Sequence, residues 1–434
     1  MAWQEITLII VGLVFLFLLT GMPIAAGLGL VGFVTAYFFL DKMGIFEYVT
    51  WNLCVSFILV AIPLFIFMGQ IILHTGLSSR LYDGTTALLG RLPGGLLHAN
   101  VASCAVFAAI SGSSVATAVT IGSIAIPEEE KRGYEHKMVL GSLAAGGTLG
   151  GIIPPSIGFV IYGAITGESI SALFMAGLLP GILIALLFMA YIAIRVKIKP
   201  QLAPPYEKMT MKARVPVIVS MWPIFIIMAV VLGGIYLGIM TPTEAAAAGA
   251  ATALILGLIY RKVNLQVMKL SLRDSVKSTS MILIIAVGAQ LLSASMNILR
   301  IPDAMISWVI ALPYSPVVIM IGIYIMYLFL GCFMDGISIT FITLPVTYPI
   351  VVSLGFDPIW YGVVLELLIE MGLITPPVGI NCYAIHGLRP DRSLVDVFRG
   401  IIPFFFMMAV ALGIITVFPQ IATWLPSTMQ RLSG

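Results

Sequence analysis

Four short runs hold residue types suited to ion chemistry. Ser111-Gly112-Ser113-Ser114, and the stretch from Gly331 to Gly336 with Asp335, each interrupt a long apolar segment. So do Gly146 to Pro155, with Gly146-Gly147, Gly150-Gly151 and Pro154-Pro155, and Gly372 to Gly379, with Thr375 and Pro376-Pro377. A hard cation such as sodium needs a cage of oxygens. The hydroxyls of Ser111, Ser113 and Thr375, the Asp335 carboxylate, and carbonyls around Gly150, Gly331 and Gly372 could supply one. Broken helices add to the chemistry. Their N-termini point partial positive charge at an anion, and their C-terminal carbonyls coordinate a cation. The plain alternative is that Pro kinks the helices and Gly lets them pack closely. One break would favour that alternative; four breaks in related pairs favour transport.

Other polar residues divide between chemistry and structure. Asp335 lies in a run that is otherwise apolar or small, and a carboxylate at membrane depth is costly enough to suggest a role at an ion site. Its alternative is a structural hydrogen bond at the tip. Glu366 and Glu370 stand four apart on one helix face, where they could serve ions, protons or packing. Glu168 reads as a helix-start residue. Thr241-Pro242-Thr243-Glu244 reads as a helix cap, with Glu244 as the returning half of a capping box. Ser111-Gly112-Ser113 could also suggest an intramembrane serine hydrolase, which needs a base in reach. His98 and His136 fall near expected membrane ends, which disfavours it. Cys54, Cys104, Cys332 and Cys382 form no CxxC pair, so free thiols are expected, and no transition-metal site.

The elements that hold these residues must lie in a bilayer. The 434 residues are 60% hydrophobic and 9% charged, against roughly 25% charged in a soluble domain. That excludes a soluble enzyme and a disordered chain. The net charge of +3 is too small and scattered for a nucleic-acid partner. Apolar stretches predict spans near 4–20, 23–40, 51–73, 169–194, 215–238, 243–260, 278–298 and 400–424. The first reads as a membrane helix, not a signal peptide. Amphipathic connectors are expected near 76–91, 264–277 and 300–312, at the interface.

The chain repeats itself. An offset of 222 places Pro127 on Pro349, Gly133 on Gly355, Tyr134 on Phe356, Gly150 on Gly372 and Pro154-Pro155 on Pro376-Pro377. The expected fold is therefore an all-α polytopic membrane protein of two repeats, each with a re-entrant hairpin and a broken helix. Five crossings per repeat invert the second copy. With that topology, 19 of the 22 Lys and Arg fall on one side. Only Lys42, Arg300 and Arg431 fall on the other. The positive-inside rule makes the first side cytoplasmic and both termini periplasmic. The expected divisions are scaffold helices and arm over 1–93 and transport elements over 94–166. A linking helix and cytoplasmic loop follow over 167–214. The second scaffold and arm cover 215–314, the second transport elements 315–388, and a final helix 389–434.

The runs Ala108-Ala109-Ile110-Ser111-Gly112-Ser113-Ser114 and Gly150-Gly151-Ile152-Ile153-Pro154-Pro155-Ser156 resemble the large membrane subunit of TRAP transporters. Thr241-Pro242-Thr243-Glu244-Ala245-Ala246 and Gly372-Leu373-Ile374-Thr375-Pro376-Pro377-Val378-Gly379 share the likeness, which covers essentially the whole chain and is greatest to the sialic-acid branch. The resemblance implies sodium-driven uptake of an organic anion across the bacterial inner membrane, sialic acid first and otherwise a C4-dicarboxylate or similar carboxylate. It implies a small four-helix membrane subunit on a separate chain and a periplasmic substrate-binding protein as partners, with no organic cofactor. It implies an elevator mechanism, similar to that of divalent-anion/sodium symporters. Carried onto this sequence, it puts a first sodium at Ser111, Gly112, Ser113, Gly147, Gly150 and Pro154. A second falls at Gly331, Asp335, Gly336, Thr375 and Gly379, and the substrate against Ser114, Pro155, Ser156, Pro377 and Asn381. The related symporters carry Ser-Asn-Thr at both tips, whereas this chain has Ser-Gly-Ser-Ser at one and Met-Asp-Gly at the other. A self-sufficient sodium/dicarboxylate symporter is the nearest alternative.

Overall fold

Helices account for nearly all of the computed structural model, which describes residues 3–40, 44–204 and 210–433. Lys42 and Lys208, both in the charge tally, lie outside the described residues. The chain opens with α1 (Trp3–Leu19), α2 (Ile24–Thr35, continued by a π-helical turn over Ala36–Leu40), α3 (Gly44–Cys54), α4 (Ala61–Thr75) and α5 (Leu77–Leu89). Next come α6 (Leu96–Ser111), α7 (Ser114–Lys131), α8 (His136–Ile152), α9 (Ile157–Thr166) and α10 (Ile170–Ile198). The second half contains α11 (Met211–Val219), α12 (Trp222–Met228), α13 (Gly234–Tyr236), α14 (Pro242–Ile259), α15 (Leu265–Ile298) and α16 (Ile301–Ile310). It continues with α17 (Pro316–Gly331), α18 (Gly336–Ser353), α19 (Pro358–Gly372), α20 (Ile380–Leu388), α21 (Leu394–Val417) and α22 (Gln420–Ser433). Among the described residues, eight helical segments are long and apolar enough to cross a membrane.

The offset of 222 recurs in the elements. Shifted by it, α7 lands on α18 end for end, and α8 and α9 land on α19 and α20. The caps repeat as well. Ser113 and Asp335 cap α7 and α18, and Glu135 and Asp357 cap α8 and α19, each accepting from a backbone N–H three residues on. Both Pro-Pro pairs, Pro154-Pro155 and Pro376-Pro377, carry cis peptide bonds.

α6 and α7 form a hairpin whose two ends meet. The Leu96 N–H donates to the Tyr134 hydroxyl (3.2 Å), and Asn100 donates to the Glu129 carboxylate (3.0 and 3.2 Å). α17 and α18 pair in the same sense, with the Tyr327 hydroxyl 2.6 Å from that of Thr343 and 2.9 Å from that of Thr347. A 16-residue helix such as α6 rises about 24 Å, short of a hydrocarbon core roughly 30 Å thick.

Two packing groups stand out. In one, α2 lies on α15 and α4 on α14, so each repeat supplies one helix to each pair. A Cβ on Gly32 would lie 2.8 Å from the Leu292 backbone nitrogen, and one on Gly288 would lie 2.7 Å from the Ala25 carbonyl oxygen. Small residues permit such approach. In the other group, α8 packs on α6, α7 and α21, and α19 on α17 and α10.

Several boundaries differ from the sequence expectation. The span expected over 51–73 is divided: α3 ends at Cys54 and the chain turns before Ile58–Thr75. Cys54 is exposed there, and all four thiols are free. The span expected over 400–424 ends at Val417, before Pro419, which cannot donate a helical hydrogen bond. The connector over 264–277 and the span after it are one 34-residue helix, α15. α5 is more buried than an interfacial helix, packing on α6 and α11. Gly146 to Gly151 do not break α8, which runs on to Ile152. Glycine inside a helix costs only about 1 kcal/mol, and here it admits close neighbours. The Thr241–Glu244 capping box forms as expected.

Candidate functional site

The first hairpin tip sits in the gap between α8 and α9. Gly112 ends α6 in a left-handed conformation (φ 60°), and a Cβ there would lie 2.7 Å from the Pro155 carbonyl oxygen. The Ile157 N–H donates to the Gly112 carbonyl (3.3 Å). A Cβ on Gly150 would lie 2.6 Å from the Ser113 carbonyl oxygen and 2.8 Å from the Thr117 hydroxyl. One on Gly147 would lie 3.0 Å from the Ser114 carbonyl oxygen. The Ser111 and Thr117 hydroxyls are 2.6 Å apart, and Ser111 Oγ lies 3.4 Å from the Ser113 carbonyl. Ser111, Gly112, Ser113, Gly147, Gly150 and Pro155 are thus brought together, with Pro154 buried beside them. Thr117 was missed from sequence. Its signal was its place four residues after Ser113, on the same helix face.

The second tip repeats the arrangement with a different surface. Gly331 and Gly372 meet backbone to backbone, and the Val378 N–H donates to the Cys332 carbonyl (3.2 Å). The Thr375 N–H donates to the Gly372 carbonyl (3.0 Å), and its hydroxyl to the Met371 carbonyl (2.6 Å). Gly379 opens α20 with φ 59°, and a Cβ on it would lie 3.4 Å from the Thr375 carbonyl oxygen. A Cβ on Gly336 would lie 2.4 Å from the Ile369 side chain. The Asp335 carboxylate turns to its own helix, accepting from the Ser338 N–H (3.0 Å) and from the Ser338 hydroxyl. Pro376 and Pro377 are exposed, whereas Pro154 and Pro155 are buried.

The residues expected to face substrate have distinct environments. Ser114 Oγ donates to the Glu370 carboxylate. Ser156 caps α9, accepting from the Phe159 N–H (3.4 Å), and is fully buried. Asn381 lies in the first turn of α20, which packs on α7 and α8. It is fully buried, and neither the nitrogen nor the oxygen of its amide has a partner among the described residues. An unsatisfied buried amide costs about 1–3 kcal/mol, so this group is free to bind a carboxylate or hydroxyl. At each tip, two helix C-termini (α6 with α8, α17 with α19) and two helix N-termini (α7 with α9, α18 with α20) come together. That arrangement suits a cation beside an anion. Among the described residues no cluster of three His, Cys, Asp or Glu side chains could hold a transition metal.

Residues 11–421 match the family model described as the tripartite ATP-independent periplasmic transporter, DctM component. The chain belongs to this family. The C4-dicarboxylate TRAP transporter large permease protein DctM of Pseudomonas aeruginosa is 37% identical over 85% of this chain and 86% of its own length. The sialic acid TRAP transporter large permease protein SiaM of Vibrio cholerae is 29% identical over 86% of each. Among solved structures, the YdaH transporter of Alcanivorax borkumensis superposes with a TM-score of 0.58 at 15% identity, covering 90% of this chain and 88% of that one. The likeness to YdaH is one of fold. As a TRAP large permease this multi-pass membrane chain is a transporter component, not an enzyme.

Proposed function

We propose that this TRAP large permease carries an organic carboxylate into the bacterial cytoplasm together with sodium. It would act with a small four-helix membrane subunit and a periplasmic substrate-binding protein. The observation that carries the reading is the paired helix ends at the two tips. At the first tip the hydroxyls of Ser111 and Thr117 and the carbonyl of Ser113 lie together beside Gly150. That set suits a hard cation, while the N-termini of α7 and α9 favour an anion. The Asn381 amide, without a partner among the described residues, is the polar group best suited to orient the carboxylate.

Motion of the tip-bearing group against the α2–α15 and α4–α14 pairs would give an elevator. The two repeats would be inverted in the bilayer, with the Lys- and Arg-rich loops cytoplasmic and both termini periplasmic. Sialic acid is the substrate the sequence resemblance suggests. A C4-dicarboxylate is favoured by the higher identity to the Pseudomonas aeruginosa relative.

The test is uptake of labelled sialic acid and labelled succinate into liposomes holding this chain and its small subunit. It is run with and without binding protein, and with and without an inward sodium gradient. Uptake that requires both supports the proposal and names the substrate. Uptake with sodium but no binding protein would replace it with a self-sufficient symporter.

A further inference from the structure

Glu366 and Glu370 are both buried in α19, with 7% and 2% of their surface exposed. They converge on α8 and α9 through two glycines. A Cβ on Gly151 would lie 1.9 Å from Glu370 Oε1 and 2.8 Å from Glu366 Oε1. Adding those two distances bounds the separation of the oxygens at about 4.7 Å, within the range where like charges oppose each other. A Cβ on Gly158 would lie 2.2 Å from Glu366 Oε2. The glycines therefore make the space that the carboxylates fill. Ser114, at the first hairpin tip, donates to Glu370 Oε1. Glu370 Oε2 is buried with no hydrogen-bond partner among the described residues.

No cation among the described residues balances this pair. Among the described residues neither carboxylate has an ion pair. The elements packed on α19 carry their charges at their ends. α8 has His136 and Lys137 in its first turn, next to Glu130 and Asp396. α10 has Tyr191, Arg195 and Lys197 near its end. α21 has Asp396 and Arg399 near its start. α9, α17 and α18 contribute only Tyr162, Tyr324, Tyr327 and Tyr348. α22 contributes no titratable group among its described side chains. α7, which supplies Ser114, has Glu128, Glu129, Glu130 and Lys131 at its far end.

We propose that Glu366 and Glu370 form a proton-binding pair, holding one proton between two carboxylates where the first hairpin tip meets α19. Two like charges this close in a low-dielectric interior do not both ionise. A shared proton removes one charge and gives the orphaned Glu370 oxygen a role, either as the acid that donates or as the acceptor. A proton is the simpler occupant, because among the described residues the one hydrogen bond these carboxylates accept is from the Ser114 hydroxyl, whereas a hard cation needs a cage of about six oxygens. The consequence for uptake rests on the transport reading above; the bound proton does not. Loss of the proton would leave two charges pressed against the hairpin tip, so uptake would fall as pH rises.

Infrared spectroscopy of the full chain with its small subunit in lipid nanodiscs tests this directly. The wild type should show the carbonyl band of a protonated carboxylic acid, shifted in D2O. The band should persist above the pH at which exposed carboxyls ionise, and be lost in Glu366→Gln/Glu370→Gln. A wild type without such a band overturns the proposal, and this reading needs no variant to fold. A band unchanged in the double variant overturns it equally. So does a sodium-dependent change in the carboxylate bands in place of the acid band. In liposomes, the double variant should lose the alkaline fall in uptake shown by the wild type. Because the band is read without transport, its absence and a failure of the uptake reading are distinguishable.

Discussion

Gly331 and Gly372 meet with no room for a side chain on either. A Cβ on Gly331 would lie 2.7 Å from Gly372 Cα, and one on Gly372 would lie 2.5 Å from Gly331 Cα. This contact joins the end of the second hairpin's first helix to the end of α19. Both obstacles are backbone, so neither can swing aside. Gly372→Ala is expected to destabilise the folded chain by about 1–3 kcal/mol, the usual cost of overpacking. It should also reduce uptake strongly. Thermal unfolding in detergent checks the first effect; an unchanged midpoint would show that the backbones can part.

The Thr117 hydroxyl belongs to the first oxygen set, 2.6 Å from Ser111 Oγ. Thr117→Val keeps the shape and removes one oxygen. Uptake should need several-fold more sodium while saturating substrate concentration changes less. Sodium titration of uptake measures this, and an unaltered sodium curve would remove Thr117 from the site.

Asp335 caps α18 through the Ser338 N–H. Asparagine caps as well as aspartate, and alanine does not. Asp335→Asn should therefore keep stability while weakening sodium activation, and Asp335→Ala should also lose about 1 kcal/mol. If Asp335→Asn leaves sodium activation intact, the residue is a cap and nothing more.

Glu244 accepts from the Thr241 N–H (2.8 Å) and from the Thr241 hydroxyl (2.9 Å), closing the capping box of α14. Glu244→Ala should lower stability by about 1 kcal/mol, in the range of a lost helix cap. Glu244→Gln, which still offers an oxygen to the N–H, should keep most of it. Unfolding midpoints in detergent decide it; equal midpoints for wild type and Glu244→Ala would show that the box adds nothing to stability.

Orientation can be read by labelling. Single cysteines at Gln201 or Lys212, in a chain cleared of its four native thiols, should react only from the cytoplasmic side. Periplasmic labelling at either position would reverse the topology.

Much of the architecture was local and so legible in the residues alone. Gly among short polar residues located the two tips, and the paired prolines located both Pro-Pro breaks. Apolar length marked the spans, and Thr241 with Glu244 marked a cap whose partners are three residues apart. Where local signals misled, neighbours intervened: the glycines of α8 continue the helix because Cys104, Ala118 and the Ser113 carbonyl pack against them. What only the tertiary structure decided were contacts between residues far apart in the chain. Ser114 and Glu370 are 256 positions apart, and no periodicity could pair them. Nor could it show that the second Pro-Pro break is exposed while the first is buried, or that the Asn381 amide is buried without a partner among the described residues. Hydropathy and punctuation specify where a helix begins and ends. Which polar side chains share one desolvated space depends on how the two repeats close over each other.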